Sequence, residues 1–338
     1  MKHLRITALV SMLLVACTSA PTVAELPEQG DIQAFITEMV QRHHFDRAQL
    51  EAWFKQARVR SDIIDAISRP AESKPWYQYR PIFLQKSRIQ GGVAFWNDNT
   101  ELLERAEKVY GVPPQIVIAI LGVETRYGRH QGGYRVMDSL VTLAFDYPPR
   151  AAFFKSELEQ YLLLTREEGI DPLSMTGSYA GAMGQTQFIS SSYRHYAIDF
   201  DGDGKRDLWN DTADAVGSIA NYFKMHGWER GGTVAVPASV GGERYAALLE
   251  KGTKPSIRIA ELKGRGVQPE AALPDQGLAA LIELEKRVGY EYWLGLQNFY
   301  VITRYNHSPL YAMAVYQLSE EIRTSHDEQV ARKARPGR

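Results

Sequence analysis

The chain is organised around residues 113–128, whose sequence is PPQIVIAILGVETRYG. Pro113 and Pro114 suit the first turn of a helix, where a missing N–H costs little. The residues from Ile116 to Val123 carry no polar side chain, and Gly128 is suited to a left-handed C-terminal cap. A helix that is apolar on every side must be enclosed by other elements, so this stretch predicts a buried central helix.

The one carboxylate of this stretch is Glu124, which at helical spacing shares a stripe with Val117 and Leu121. No residue three or four positions away is cationic, and burial without a partner charge raises the pKa of a carboxyl group. A carboxylic acid that keeps its proton is what a general acid toward a glycosidic oxygen requires. From the helix alone, a structural glutamate bonded by Arg126, Arg129 or another element is the open alternative.

Length and composition limit the classes of protein. The 338 residues correspond to roughly two domains, and the hydrophobic (44%) and charged (23%) fractions are those of a globular protein. The formal net charge of -1 gives no electrostatic support to nucleic acid or anionic lipid as a partner. We therefore expect no nucleic-acid partner, and no redox or nucleotide cofactor.

The N-terminus resembles that of a bacterial lipoprotein. A basic start is followed by an apolar run too short to span a bilayer, which ends in LVAC at Cys17, the one cysteine of the chain. We expect residues 1–16 to be a signal peptide, Cys17 to be lipidated, and residues 17–30 to be a tether. An aspartate directly after the cysteine resembles a signal that retains lipoproteins in the inner membrane. This chain has Thr18 at that position, so we expect the lipid anchor to lie in the inner leaflet of the outer membrane, facing the periplasm. The alternative is an ordinary secretory signal.

Residues 31–103 predict an N-terminal α-domain. Apolar residues at helical spacing follow four helix starts, at Asp31, Asp46, Ser61 and Thr100. Aromatic residues interleaved with prolines at 75–83 are interpreted as an irregular connection. We expect the aromatic side chains of this region to form core rather than sugar-binding platforms.

Residues 199–207, DFDGDGKRD, match the calcium loop of an EF-hand. Oxygen-bearing residues stand at loop positions one, three, five and nine, a glycine stands at six, and helices are expected on both sides, within 190–197 and 213–226. Position twelve is Asn210 instead of glutamate, so Asp211 or Asp214 is left to close the shell, and a solvated acidic turn is the alternative. The predicted ligands of this structural Ca²⁺ are Asp199, Asp201, Asp203, Lys205, Asp207 and Asp214.

Short strand-like pieces at 233–237, 256–259 and 278–284 predict a small β-rich insertion at residues 231–279. Helical character is expected again from Tyr290 to Tyr316, so that residues 280–318 return to the core. Residues 319–338 are interpreted as a helix end and a charged tail that frays after Glu321.

Four blocks of sequence together resemble a known family, the lytic murein transglycosylases of the membrane-bound B type. The blocks are residues 122–128, the Gly-rich stretch 177–188, residues 199–209 and residues 298–308, and the resemblance covers residues 32–318. It implies a mainly α (α+β) fold, with a lysozyme-like core at 104–230 that contains an EF-hand-like loop at 199–214. The N-terminal α-domain and the small β-rich insertion would flank that core.

The resemblance also implies the chemistry. Glu124 would protonate the oxygen between N-acetylmuramic acid and N-acetylglucosamine, then accept the proton of the C6 hydroxyl as it attacks C1, leaving a 1,6-anhydro end without water. The muramic acetamido group would assist at C1. The segments expected to line the substrate groove contain Ser178, Met183, Gln187, Asn221, Tyr222, Tyr305 and Asn306.

Two other functions stay open at this stage. A muramidase would need a second carboxylate across the groove to activate water, and we interpret the nearby Asp138 and Asp146 as structural. A non-catalytic peptidoglycan-binding lipoprotein would lack the acid. The expected partners are peptidoglycan glycan strands, the membrane through the lipid anchor, and cell-wall synthesis or division proteins.

Overall fold

The structure, a computed structural model, describes residues 29–69 and 73–334. Within these ranges, six helices come before the central one: α1 (Gln29–His43), α2 (Arg47–Gln56), α3 (Ser61–Ile67), α4 (Trp76–Phe83), α5 (Lys86–Asp98) and α6 (Thr100–Tyr110). Asp46 caps α2 as expected, because its side chain accepts the N–H of Gln49 at 2.8 Å.

The interpretation of residues 75–83 as an irregular connection is wrong, because α4 is a helix with Pro81 inside it. Pro75 precedes the helix in an extended conformation, and Pro81 removes only one N–H from a short helix. Trp76 and Tyr79 are both buried, and their burial holds this helix against the rest of the protein.

The central helix, α7 (Pro114–Thr125), is buried along nearly its whole length, which confirms the prediction from its sequence. It packs against α5, α6 and two later helices, α11 (Thr212–Met225) and α15 (Pro309–Ala334). Around it lie the other middle elements: β1 (Tyr134–Arg135), α8 (Val136–Phe145), α9 (Ala151–Glu167), β2 (Thr176–Gly177) and α10 (Ser190–Tyr196).

A five-stranded antiparallel sheet follows α11. Its strands are β3 (Ala235–Val240), β4 (Ile257–Arg258), β5 (Val267–Pro269), β6 (Leu278–Glu285) and β7 (Tyr290–Gly295). Two short helices, α12 (Ala246–Leu249) and α13 (Ile259–Gly264), lie between the strands in sequence. The strand order is β4-β6-β7-β3-β5. The expected β-rich insertion is present, and the sheet extends past residue 279 to Gly295.

The expectation of helix from Tyr290 is wrong, since β7 occupies residues 290–295. Aromatic residues at alternate positions of this run suit a pleated surface, and β7 pairs with both β6 and β3. Helix returns only with α14 (Gln297–Tyr305).

The expected fraying after Glu321 is also wrong, because α15 continues to Ala334. Ile322 is fully buried, and the ring of His326 stacks on Trp96 of α5 at 4.2 Å between ring centroids. The charged side chains of this part lie outside these contacts and keep the helix soluble.

One hydrophobic core runs from Ile32 to Ile322 and joins the N-terminal helices to α7 and α15. A second, smaller core lies within the β-rich part. How the chain divides into domains stays a prediction. Among the described residues, none of the helices combines the length and the apolar character needed to cross a membrane.

Candidate active site

The last turn of α7 carries Glu124 and ends abruptly. Arg126, Tyr127 and Gly128 all have left-handed backbone, with φ of 50°, 63° and 79°. Gly128 has the expected left-handed backbone, but it is not the residue that caps the helix. The helix ends at Thr125, and Arg126 is its left-handed C-cap. Left-handed backbone costs free energy in residues with a side chain, so the surrounding structure must hold this turn in place.

A buried arginine from α5 holds this helix end. Arg88 Nη1 donates to the carbonyl oxygen of Gly122 at 2.5 Å and to that of Val123 at 3.4 Å. These are carbonyls that the end of a helix leaves without partners, and a cation there interacts favourably with the helix dipole. Burial lowers the pKa of Arg88, but an arginine keeps its charge even so.

The tyrosine of the left-handed turn lies between α5 and α7. A Cβ added at Gly91, Gly92 or Gly122 would come within 2.8–2.9 Å of the Tyr127 side chain. Its hydroxyl donates to the carbonyl oxygen of Arg88 at 2.6 Å, and burial raises the pKa of the phenol, so it stays protonated. Three glycines thus create the space that this ring fills.

Thr125 ties the same turn to the Gly-rich stretch. Its hydroxyl donates to the carbonyl oxygen of Gln185 at 3.0 Å and accepts the N–H of Gly128 at 2.9 Å. The position of Glu124 is therefore fixed from α5 on one side and from residues 177–188 on the other.

The carboxyl group of Glu124 is half-buried and contacts α15. The hydroxyl of Tyr311 donates to Glu124 Oε1 at 2.5 Å. Burial, and then the charge of Glu124, raises the pKa of Tyr311, so the phenol keeps the proton that it donates. Sequence reasoning missed Tyr311, which lies 187 residues further along the chain than Glu124.

Tyr305 lies close enough to Glu124 to be affected by its charge, and it lines an open cleft to which Glu124 itself does not contribute. Burial, and then the charge of Glu124, raises the pKa of Tyr305, whose hydroxyl donates to the carbonyl oxygen of Thr186 at 2.6 Å. Its ring packs against Phe188 at 5.6 Å and Tyr222 at 4.9 Å between centroids. We call the adjoining space the Tyr305 cleft.

The Tyr305 cleft has a volume of about 1040 Å³ and contains four of the seven expected substrate-contact residues. Those four are Gln187, Tyr222, Tyr305 and Asn306. Its remaining lining residues come mainly from α9, α10 and α14 and from the segments beside them.

The other three expected contact residues support the cleft from behind. The Ser178 hydroxyl accepts the N–H groups of Ala180 and Ala182, at 3.2 and 3.0 Å. Met183 is fully buried, and the side-chain amide of Asn221 donates to the carbonyl oxygen of Tyr196 at 2.9 Å. These three side chains are not among the residues that line the Tyr305 cleft.

The basic residues of the Tyr305 cleft were not among the substrate contacts predicted from the sequence. Two arginines and three histidines line it: Arg150, Arg304, His195, His226 and His307. Among the described lining residues there is no Asp or Glu. Burial lowers the pKa of both His226 and His307, which favours neutral imidazoles there, and the two arginines make the cleft suited to a ligand that carries carboxylates.

The acidic loop brings three of the expected metal ligands together. Carboxylate oxygens of Asp199, Asp201 and Asp203 lie within 4.8 Å of one another. Gly202 and Gly204 have φ of 86° and 90°, as the sharp turn requires. The N–H of Gly204, followed by those of Gly202 and Asp203, lowers the pKa of Asp199. Carboxylate groups that meet at one point provide the hard oxygen donors that Ca²⁺ prefers.

The remaining expected ligands have other partners in this structure. Asp214 is buried and accepts the N–H groups of Phe200 at 2.7 Å and Asp207 at 2.8 Å, which ties the two ends of the loop together. Asp207 accepts the N–H groups of the two residues at 209 and 210, Asp211 caps α11, and Lys205 donates its N–H to Asp203. The expected grouping of Asp207 and Asp214 with the three aspartates is therefore not seen.

Comparison with known proteins defines the class. The mainly helical fold with a small sheet is that of lysozyme-like lytic transglycosylases, and the family model Transglycosylase SLT domain matches residues 28–320. The chain belongs to this family. A curated relative, Membrane-bound lytic murein transglycosylase B of Escherichia coli (strain K12), is 47% identical over 300 residues, which are 86% of this chain and 82% of the relative.

Two solved structures are informative about ligands. The lytic transglycosylase Slt35 of Escherichia coli in complex with calcium is 43% identical, covers 93% of this chain and 99% of its own, and has a TM-score of 0.81. SltB3 from Pseudomonas aeruginosa in complex with NAG-anhNAM-pentapeptide is 32% identical, covers 87% and 79%, and has a TM-score of 0.76. This chain is thus a lytic murein transglycosylase, an enzyme that cleaves peptidoglycan.

The close fit around Tyr127 predicts the effect of a methyl group at Gly122. Gly122→Ala should lower the free energy of unfolding by about 1–3 kcal/mol, because the added Cβ would lie 2.8 Å from the Tyr127 hydroxyl. Helix propensity alone would favour alanine. The control is Gly264→Ala in α13, where no atom lies within 4 Å of the added Cβ. Urea denaturation of both variants tests this, and equal stability of the two would contradict it.

Proposed function

We propose that Glu124 is the single acid/base of the transglycosylase reaction. The observation that carries this proposal is the hydrogen bond from Tyr311 to Glu124 Oε1, at the end of a helix held by Arg88 and Thr125. A general acid must be held in one orientation to be effective. Because Tyr311 donates to Oε1, the proton that is transferred would be carried by Oε2.

The proposed reaction has two parts. In the first, Glu124 gives its proton to the oxygen between N-acetylmuramic acid and N-acetylglucosamine, the bond from that oxygen to C1 breaks, and the muramic acetamido oxygen assists at C1. In the second, the C6 hydroxyl oxygen of the same sugar bonds to C1 while ionised Glu124 accepts its proton. The enzyme regains its starting protonation, and the product has a 1,6-anhydro end.

The hydrogen bonds of a nearby carboxylate favour this reaction over hydrolysis. Glycosidases that use water need a second carboxylate that faces the acid across the substrate. Asp138, one of two nearby candidates, is buried and accepts the N–H of Arg58 and a hydrogen bond from Arg135. A hydroxyl already held in the same sugar has the large proximity advantage of intramolecular attack. The SltB3 complex contains an anhydro sugar, which supports the same product here.

The proposed role of Glu124 is tested by replacing it with its uncharged isostere. Glu124→Gln should lower the rate of murein cleavage by at least about 10²–10⁴-fold, because the amide can neither give nor accept the proton. The measurement is release of soluble muropeptides, alongside thermal unfolding to verify the fold. The control, Glu104→Gln on the exposed face of α6, should keep full activity. Activity of Glu124→Gln above a tenth of wild type would remove Glu124 from this role.

We further propose that Ca²⁺ binds to the loop at 199–214 and stabilises the fold without taking part in the reaction. The support is the convergence of Asp199, Asp201 and Asp203, together with the calcium complex of Slt35. Asp214, buried beneath the loop, joins it to α11 through backbone N–H groups. Ion binding would thus stiffen the connection between α10 and α11, two helices that reach the Tyr305 cleft.

Calcium addition should raise the melting temperature of the wild-type enzyme. An ion that binds only the folded state adds about 2.7 kcal/mol when its concentration is a hundred times its dissociation constant. Magnesium should have a much smaller effect, because it rarely accepts a flexible all-protein cage. The variant Asp201→Asn should lose the response, and Asp65→Asn on the exposed surface of α3 should keep it. Equal shifts with both ions would count against this site.

We also propose that the enzyme works in the periplasm, held to the inner leaflet of the outer membrane by a lipid on Cys17. This cysteine, the signal peptide and residues 17–28 of the expected tether lie outside the described residues, and residues 29 and 30 begin α1, so the support is the sequence together with the membrane-bound relative. Membrane fractionation of a Cys17→Ser variant is the test of the anchor. Cell-wall synthesis or division proteins stay predicted partners.

A further inference from the structure

A second cleft lies away from the Tyr305 cleft, with no lining residue in common. Its volume is about 490 Å³, within the range of small-molecule sites. Three elements distant in sequence form it: α4, the β6–β7 hairpin and α15. We call it the Glu291 cleft, and its lining includes Trp76, Tyr77, Lys286, Glu291, Trp293 and Tyr316.

The carboxylate of Glu291 is held in one orientation by two tryptophans. Its Oε1 accepts the indole N–H of Trp76 at 3.0 Å and that of Trp293 at 3.3 Å. Indole nitrogens only donate, so these bonds fix the carboxylate without neutralising it. Within the described chain, no salt bridge involves Glu291. A fixed carboxylate with unused acceptor capacity is a recognition element for a hydroxyl or amide donor.

The walls of the Glu291 cleft are aromatic. Trp76 is buried and belongs to the core, as expected for the aromatic residues of this region, whereas Tyr77, Trp293 and Tyr316 are half-buried and open to the cleft. The rings of Trp293 and Tyr316 meet edge to face, with centroids 6.2 Å apart. At the rim, Arg80 donates to the side-chain carbonyl of Gln317 at 2.6 Å, which leaves the amide N–H₂ group of Gln317 as a donor.

Aromatic faces combined with fixed planar acceptors and donors match one class of ligand. A pyranose ring offers a flat C–H face to an aromatic side chain, and its hydroxyl and acetamido groups reach polar side chains at the edge. Charged side chains of both signs also line this cleft: the cations Arg80 and Lys286, and the carboxylates Glu291, Glu320 and Glu321. They place hydrogen-bond donors and acceptors around the aromatic walls, as the hydroxyl and acetamido groups of a sugar segment require.

We propose that the Glu291 cleft binds a second segment of the glycan polymer, outside the site of cleavage. This inference rests on the proposed function, because peptidoglycan is the glycan that the enzyme meets. Helix α15 contributes to both places, since Tyr311 contacts Glu124 and Tyr316 lines the second cleft. The two residues are about 7.5 Å apart along the helix axis. A polymer held at the second cleft raises the effective concentration of glycan at the first.

The test compares an insoluble polymer with a short substrate. Trp293→Leu and Tyr77→Ala should each lower the initial rate on intact murein sacculi by about tenfold, as expected when a second binding module is lost. The kcat/KM for a soluble tetrasaccharide fragment should stay within about twofold, since that fragment occupies only the Tyr305 cleft. The control, Tyr290→Ala, removes an exposed aromatic of the same strand that does not line the cleft, and should change neither rate.

A binding measurement separates this inference from the proposed function. In the Glu124→Gln background, co-sedimentation with sacculi should weaken when Trp293→Leu is added and should not weaken with Tyr290→Ala. Unchanged co-sedimentation, or equal losses of rate on sacculi and on the short fragment, would overturn the second glycan site. Wild-type enzyme that binds sacculi but cleaves neither substrate would refute the proposed function instead.

Discussion

The hydrogen bond from Arg88 to the carbonyl oxygen of Gly122 is the contact on which the proposed active site depends. It partners the end of a helix that is otherwise enclosed by apolar side chains, and it permits the chain to turn through three left-handed residues directly after Glu124. Without that turn, α7 would continue past Thr125 and Tyr127 would not reach the space between α5 and α7. The orientation of the Glu124 carboxyl group is thus set by Arg88 of α5, which binds the carbonyl groups at the end of α7, and by Tyr311 of α15.

Part of this arrangement could be predicted from sequence because it is local. The apolar run and its prolines identify α7, and the spacing of aspartates and glycines identifies the acidic loop. Arg88 and Tyr311 could not be found in this way, because they meet α7 from 34 and 187 residues away along the chain. A lone arginine or tyrosine in a helix gives no signal of the carbonyl or carboxyl group that it contacts.

The wrong predictions share a physical cause, since each depends on tertiary contacts. The aromatic residues that follow Tyr290 are compatible with the repeat of a helix and with that of a strand. The segment forms a strand because it pairs with β3 and β6. The tail of α15 is charged, but Ile322 and His326 pack onto other parts of the protein and keep it helical. Among the expected groove residues, Ser178 and Met183 shape the Gly-rich stretch from within instead of facing the cleft.

The central claim is that one carboxylic acid and the substrate's own C6 hydroxyl are sufficient, so that water is not consumed. The most direct measurement digests purified murein in heavy-oxygen water and analyses the released muropeptides by mass spectrometry. The account predicts 1,6-anhydro ends that are one water lighter than the corresponding hydrolysis products and carry no heavy oxygen. Reducing ends labelled with solvent oxygen would contradict it and would require a water-activating group opposite Glu124.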